Sequence, residues 1–132
     1  MMEMHATARW FLALGASNAM LAVILGAFGA HALKYKLDEG MLAIYQTGND
    51  YHFYHALGLI FIGIISILIP TTIWIKISGW AMLSGIVLFC VSLYCLSIFN
   101  VRWLGMITPF GGLLFIIAWA TLCIAVFNAE LD

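Results

Sequence analysis

Residues 51–75 read YHFYHALGLIFIGIISILIPTTIWI, twenty-five positions without one Asp, Glu, Lys or Arg. A bilayer core about 30 Å thick is crossed by about 20 apolar residues of helix rising 1.5 Å each, so this stretch is long enough to span it. Pro70 with Thr71 and Thr72 breaks it near its end, which puts the span at about 51–69. Three further charge-free stretches surround it, at 77–101, 10–33 and 103–129. The whole chain of 132 residues is 65% hydrophobic and 8% charged, whereas a soluble domain carries roughly 25% charged residues, interspersed so that every element has a wet face. The reading is an all-α integral membrane protein: one domain over 1–132, a four-helix transmembrane bundle with spans at about 10–33, 51–69, 74–99 and 108–127.

Such a chain leaves no room for a soluble catalytic or nucleotide-binding domain. Five Lys and Arg against six Asp and Glu, a formal charge of −1, cannot form the basic cluster that phosphate binding needs, so nucleic acid is excluded as a partner. Cys90, Cys95 and Cys123 are odd in number, lie inside spans and form no Cys-x-x-Cys pair, so they are read as small packing residues. Arg9 before an apolar stretch resembles the start of a signal peptide, but 24 uncharged residues exceed the 7–15 of a cleaved one, and a retained first span is expected. No acidic or basic residue lies inside a span away from its ends, which argues against a carboxylate proton relay within one chain.

In the first span Gly15, Ala19, Ala22, Gly26 and Ala30 recur at steps of three and four, a small-residue face for close packing against a neighbouring helix. Asn18 lies beside it, deep in the membrane, and is expected to hydrogen-bond across helices. Residues 34–50 are the one substantial polar segment. There Leu37, Met41, Ile44 and Tyr45 oppose Lys36, Glu39, Ala43 and Gln46, which suggests a short amphipathic helix in the headgroup layer between spans one and two, capped by Asp38 and stopped by Gly48; the alternative is a loop folded over the bundle mouth. Asn49 or Asp50 would then cap span two. Thr108-Pro109 reads as cap and first position of span four, and Gly111, Ala118 and Ala125 give that span a seam every seven residues. Four spans place both termini on one side. Positive charges nearly balance, Arg9 and Lys76 against Lys34, Lys36 and Arg102, and loops one and three are assigned to the cytoplasm.

Chemistry concentrates at one membrane surface. His31 ends span one, while His52 and His55, three apart on one helical face, begin span two. Gln46, Asn49, Tyr51 and, at the right depth, Tyr94 share that neighbourhood. With Asn18 these form the candidate polar site: His31, Gln46, His52, His55, Tyr94 and Asn18. Three histidines could ligate metal, hold a haem or contact a quinone. The plainer reading has His31 and His55 hydrogen-bonded across the helix ends, with His52 facing the headgroups.

Four blocks, Gly26-Ala27-Phe28-Gly29-Ala30-His31-Ala32-Leu33-Lys34, Tyr51-His52-Phe53-Tyr54-His55-Ala56-Leu57, Ser92-Leu93-Tyr94 and Gly105-Met106-Ile107-Thr108-Pro109-Phe110-Gly111-Gly112, resemble in order the signatures of domain-of-unknown-function family 423. These are small inner-membrane proteins of the YgdD and YwdK type, to which animal transmembrane protein 256 is related. The resemblance covers essentially the whole chain and implies four spans in a bacterial cytoplasmic membrane, with no activity attached. Its signature falls on Gly26, Phe28, Gly29, His31, Gln46, Tyr51, His55, Ser92, Tyr94, Thr108, Pro109, Gly111, Gly112 and Trp119. The chain departs from the pattern at His52, where glutamine is frequent, at Asn49-Asp50, and at Val91 and Ala118, so His31 and His55 stand as the better pair. The expectation is a multi-pass protein of the cell (inner) membrane acting as a non-enzymatic accessory or scaffold, whose partners are the lipid bilayer and either its own copies or a membrane complex. No cofactor is assigned. The alternatives are histidine-based haem or quinone binding and a small-solute channel or carrier formed by an oligomer.

Overall fold

The computed structural model describes residues 4–129. Four long helices carry the chain: α1 Ala6–His31, α2 Glu39–Leu68, α3 Ile73–Phe99 and α4 Thr108–Phe127. Short 3₁₀ turns at Leu33–Tyr35 and Arg102–Met106 lead into α2 and α4. All four spans are long and apolar enough to cross a membrane, and the protein is a four-helix transmembrane bundle.

The sequence reading separates an amphipathic helix from span two; the structure fuses them. Asp38 does cap, its carboxylate accepting the Met41 N–H at 2.9 Å, but the helix it starts runs 30 residues to Leu68. That is about 45 Å at 1.5 Å per residue, longer than the hydrocarbon core, so the first turns of α2 reach into the headgroup layer. Gly48 does not stop the helix. A mid-helix glycine costs only about 1 kcal/mol against alanine, too little to break a helix packed on both sides. Gly48 is there because α3 passes close by: a Cβ on it would stand 3.1 Å from Leu93 Cβ and 3.4 Å from the Cys90 carbonyl. Asn49 and Asp50, expected as caps, lie mid-helix.

α1 packs along α2, with Ala8, Phe11, Gly15, Ala22 and Gly29 buried. The backbones nearly touch, since a Cβ on Gly15 would lie 2.8 Å from the Ile60 nitrogen and 2.9 Å from the Ala56 carbonyl. The expected small-residue face is therefore real over Gly15 to Gly26, but at its end Gly29 turns inward and Ala30 is exposed. α4 packs on α3 through Gly111, Phe115, Ala118, Leu122 and Ala125, all buried. These alternate at steps of four and three, the heptad seam of packed helices. Ser78 on α3 adds a hydrogen bond to the Ala118 carbonyl at 2.7 Å.

Two local features escape the sequence reading. Within α3, Ile86–Val91 is a π-helical turn, and Gly111 sits against the Phe89 and Leu88 backbone, where any side chain would collide. Thr108 does not cap α4: its hydroxyl meets Ser92 of α3 at 2.7 Å and the Leu104 carbonyl at 3.2 Å. α3 ends at Asn100 in the left-handed region, φ 54°, the conformation that closes many helices and that asparagine tolerates.

Candidate functional site

Three side chains on one face of α2 reach across to α1 in antiparallel register. The Tyr45 hydroxyl donates to the Leu25 carbonyl. One turn on, Asn49 Nδ2 donates to the Ala22 carbonyl at 2.8 Å. His52 Nε2 then meets Asn18 Oδ1 at 3.1 Å. Positions 45, 49 and 52 step by four and three while 25, 22 and 18 step back by three and four, so the rungs follow from facing helices of opposite direction. Gly29 and Gly26 make the two upper rungs possible, because a Cβ on Gly29 would enter the Tyr45 ring and one on Gly26 would stand 2.8 Å from Asn49 Oδ1. The glycines of the Gly-Ala-Phe-Gly-Ala-His block thus act as seats for polar side chains of α2.

Tyr94 of α3 completes the cluster, 3.0 Å from His52 Nδ1 and 3.2 Å from Asn49 Nδ2. Proton positions follow from the partners. Asn18 Nδ2 donates to Leu14 O at 2.8 Å, which turns Asn18 Oδ1 toward the imidazole. His52 Nε2 must therefore carry a hydrogen. In the neutral ring Nδ1 is then the acceptor and takes the Tyr94 O–H, while the Tyr94 oxygen receives the Asn49 N–H. Each imidazole nitrogen and the tyrosine hydroxyl has a partner, and the ring is held among three helices.

The structure redistributes the histidines. His52 is buried in this cluster and not turned to the headgroups, because it lies more than three turns into α2. His31 is exposed at the end of α1 and does not pair with His55. Gln46 is exposed beside the upper rungs, lining a small recess of about 80 Å³ with Asn49 and Asp50. His55 is buried on another face, where its Nδ1 donates to the Tyr51 carbonyl at 2.7 Å and its ring stacks on Phe115 at 3.5 Å between centroids and 12° between planes. Tyr51 stacks on Phe89 at 4.7 Å. Together with Trp119, Pro109 and Gly112 these rings line a groove of about 600 Å³ between α2, α3 and α4. Among the described residues no three His, Cys, Asp or Glu side chains gather as a metal site would require.

Of the motif residues, Ser92 and Thr108 meet each other, Gly111 seats the π turn, and Tyr51, Pro109, Gly112 and Trp119 line the groove. Phe28 stays on the outer surface, 46% exposed. Sequence reasoning placed Asn49 in this neighbourhood but gave it the role of a cap, not that of a bond between helices. It missed Phe115, which the heptad positions between Gly111 and Ala118 would have located.

Residues 25–112 match a family described as a protein of unknown function, DUF423. The UPF0382 membrane protein YwdK of Bacillus subtilis is 47% identical over 115 residues, 87% of this chain and 94% of that protein. A UPF0382 membrane protein of Staphylococcus epidermidis is 50% identical over 115 residues, covering 87% of this chain and 93% of its own length. One from Staphylococcus saprophyticus is 48% identical over 118 residues, with 89% and 97% covered. No solved structure matches the chain. A match over two thirds of the chain, near-full-length relatives named as membrane proteins and four spanning helices agree: the chain belongs to the DUF423 family of multi-pass membrane proteins.

Proposed function

We propose that the protein is a non-enzymatic accessory or scaffold of the cytoplasmic, or inner, membrane, offering a rigid helical hairpin to its own copies or to a larger complex. The closed polar ladder between α1 and α2 carries this reading. Its groups bond one another, so they stiffen the hairpin and leave no reactive side chain among them. Interhelical hydrogen bonds in membranes average only about 0.6 kcal/mol each, so three rungs orient the pair more than they stabilise it. The outer face of α1, where Met20, Leu21, Val23, Ile24 and Phe28 are exposed, is then free to meet another helix. Purification in mild detergent with light scattering tests the proposal: a discrete homo-oligomer or a co-purified membrane partner is expected, and a uniform monomer without partners overturns it. Membrane fractionation tests the location, with the protein expected in the cytoplasmic-membrane fraction.

A further inference from the structure

The aromatic groove holds a polar group that nothing in the bundle satisfies. His55 is 6% exposed. Its Nδ1 faces a carbonyl, which can only accept, so Nδ1 carries the hydrogen and Nε2 is left with a bare lone pair. Among the described residues Nε2 has no hydrogen-bond partner. It is not sealed in either, because the one fully covered side-chain oxygen or nitrogen lacking a partner there is the Thr71 hydroxyl. The ring lines the groove that Tyr51, Phe89, Phe115 and Trp119 wall with flat π surfaces. His55 stacks on Phe115, seven residues into α4, so the lone pair sits about 10 Å below the start of that helix.

A second recess shares Trp119 with the groove. It is an apolar trough of about 400 Å³, lined also by Ile65, Leu122, Val126 and Phe127. From Phe115 to Phe127 the two recesses extend about 18 Å along α4. Neither recess is lined by an Asp, Glu, Lys or Arg. That composition suits neither a phospholipid headgroup nor the propionates of a haem, and His31, the other axial ligand considered for haem, lies elsewhere. Each recess falls within the roughly 300–1,000 Å³ of small-molecule sites, which are mostly apolar with few polar groups that fix orientation.

We propose that this groove binds a membrane-soluble hydroquinone or phenol, with its ring stacked among the aromatic side chains, its hydroxyl donating to His55 Nε2 and its apolar tail lying in the lower trough. The locked tautomer makes the site selective. A hydroquinone brings an O–H donor, whereas the oxidised quinone brings only acceptors and confronts the lone pair with another.

Anaerobic titration of the full chain in nanodiscs with decyl-hydroquinone, decyl-quinone and the dimethyl ether of the hydroquinone tests this. Trp fluorescence and ¹⁵N NMR of labelled histidine are the readouts. The hydroquinone should saturate and bind at least tenfold tighter than the other two, and the His55 Nε2 resonance should move with it. His55→Phe keeps a flat ring on Phe115 and should erase the tenfold preference. Gly112→Leu should abolish binding of all three while the far-UV circular dichroism stays that of the wild type; at Gly112 an added Cβ meets only Phe89 ring atoms at 3.8 Å. Equal binding of the three ligands by the wild-type chain, no saturable binding, or an unmoved His55 resonance overturns the proposal. So does a Soret band on adding haem that His55→Phe removes.

Discussion

Replacing His52 by leucine strands two polar groups at once. Asn18 Oδ1 loses its donor and the Tyr94 hydroxyl loses its acceptor, inside a bundle where water is not at hand. A buried donor or acceptor left unmatched costs about 1–3 kcal/mol, so His52→Leu should destabilise by about 2–6 kcal/mol. Tyr94→Phe strands only the imidazole Nδ1, since Asn49 Nδ2 keeps the Ala22 carbonyl, and should cost about 1–2 kcal/mol. In the double variant the Tyr94 hydroxyl and the imidazole Nδ1 are both absent and only Asn18 stays unmatched, so the two losses should fall short of additivity by at least about 0.6 kcal/mol, the average of interhelical bonds in membranes. Glutamine behaves differently. Its amide offers one donor for Asn18 and one acceptor for Tyr94, the same pair that the Nε2–H imidazole supplies, so His52→Gln should cost less than about 1 kcal/mol. The measurement is reversible unfolding by SDS titration from mixed micelles, followed by Trp fluorescence. Strict additivity of His52→Leu with Tyr94→Phe would falsify the shared bond, as would a His52→Gln cost equal to that of leucine. A ¹⁵N spectrum showing the Nδ1–H tautomer of His52 would separately contradict the proton assignment.

Gly15→Ala places a Cβ against the Ile60 and Ala56 backbone and should destabilise by about 1–3 kcal/mol in the same titration. Gly112→Ala, with only 3.8 Å contacts, should instead be neutral or stabilising by up to about 1 kcal/mol; equal effects at the two positions would contradict the packing described. Asp38→Ala removes the cap of α2 and should cost about 1 kcal/mol, read as faster hydrogen exchange confined to residues 39–42. Cys123 is exposed and Cys90 fully buried, so a lipid-soluble maleimide should label the first and spare the second, as peptide mass mapping would show. Tyr35, 84% exposed in loop one, gives a topology test: Tyr35→Cys should react with an impermeant reagent only from the cytoplasmic side.

Much of this architecture is legible in residue order, and the parts that are not share one cause. Charge spacing identifies four spans because a helix in lipid must be apolar all round, a constraint each stretch carries by itself. The stripe from Gly15 to Gly26 and the seam of Gly111, Ala118 and Ala125 are equally legible, because close backbone approach demands small residues at fixed steps. Local signals fail where two helices decide together. Gly48 looks like a stop until α3 is laid against it, and Asn49 looks like a cap until Ala22 and Tyr94 face it. The six polar candidates divide in the same way: Asn18, His52 and Tyr94 converge, His55 joins an aromatic groove, and His31 and Gln46 remain on the surface. Residue order alone sets the depth of these groups, Asn18 in mid-span and the histidines and Gln46 toward one membrane surface, since the span ends fix it. Only the tertiary structure decided their azimuth around each helix. Azimuth depends on which neighbour each face packs against, and so it decided that one histidine ties helices together while another lines an aromatic groove.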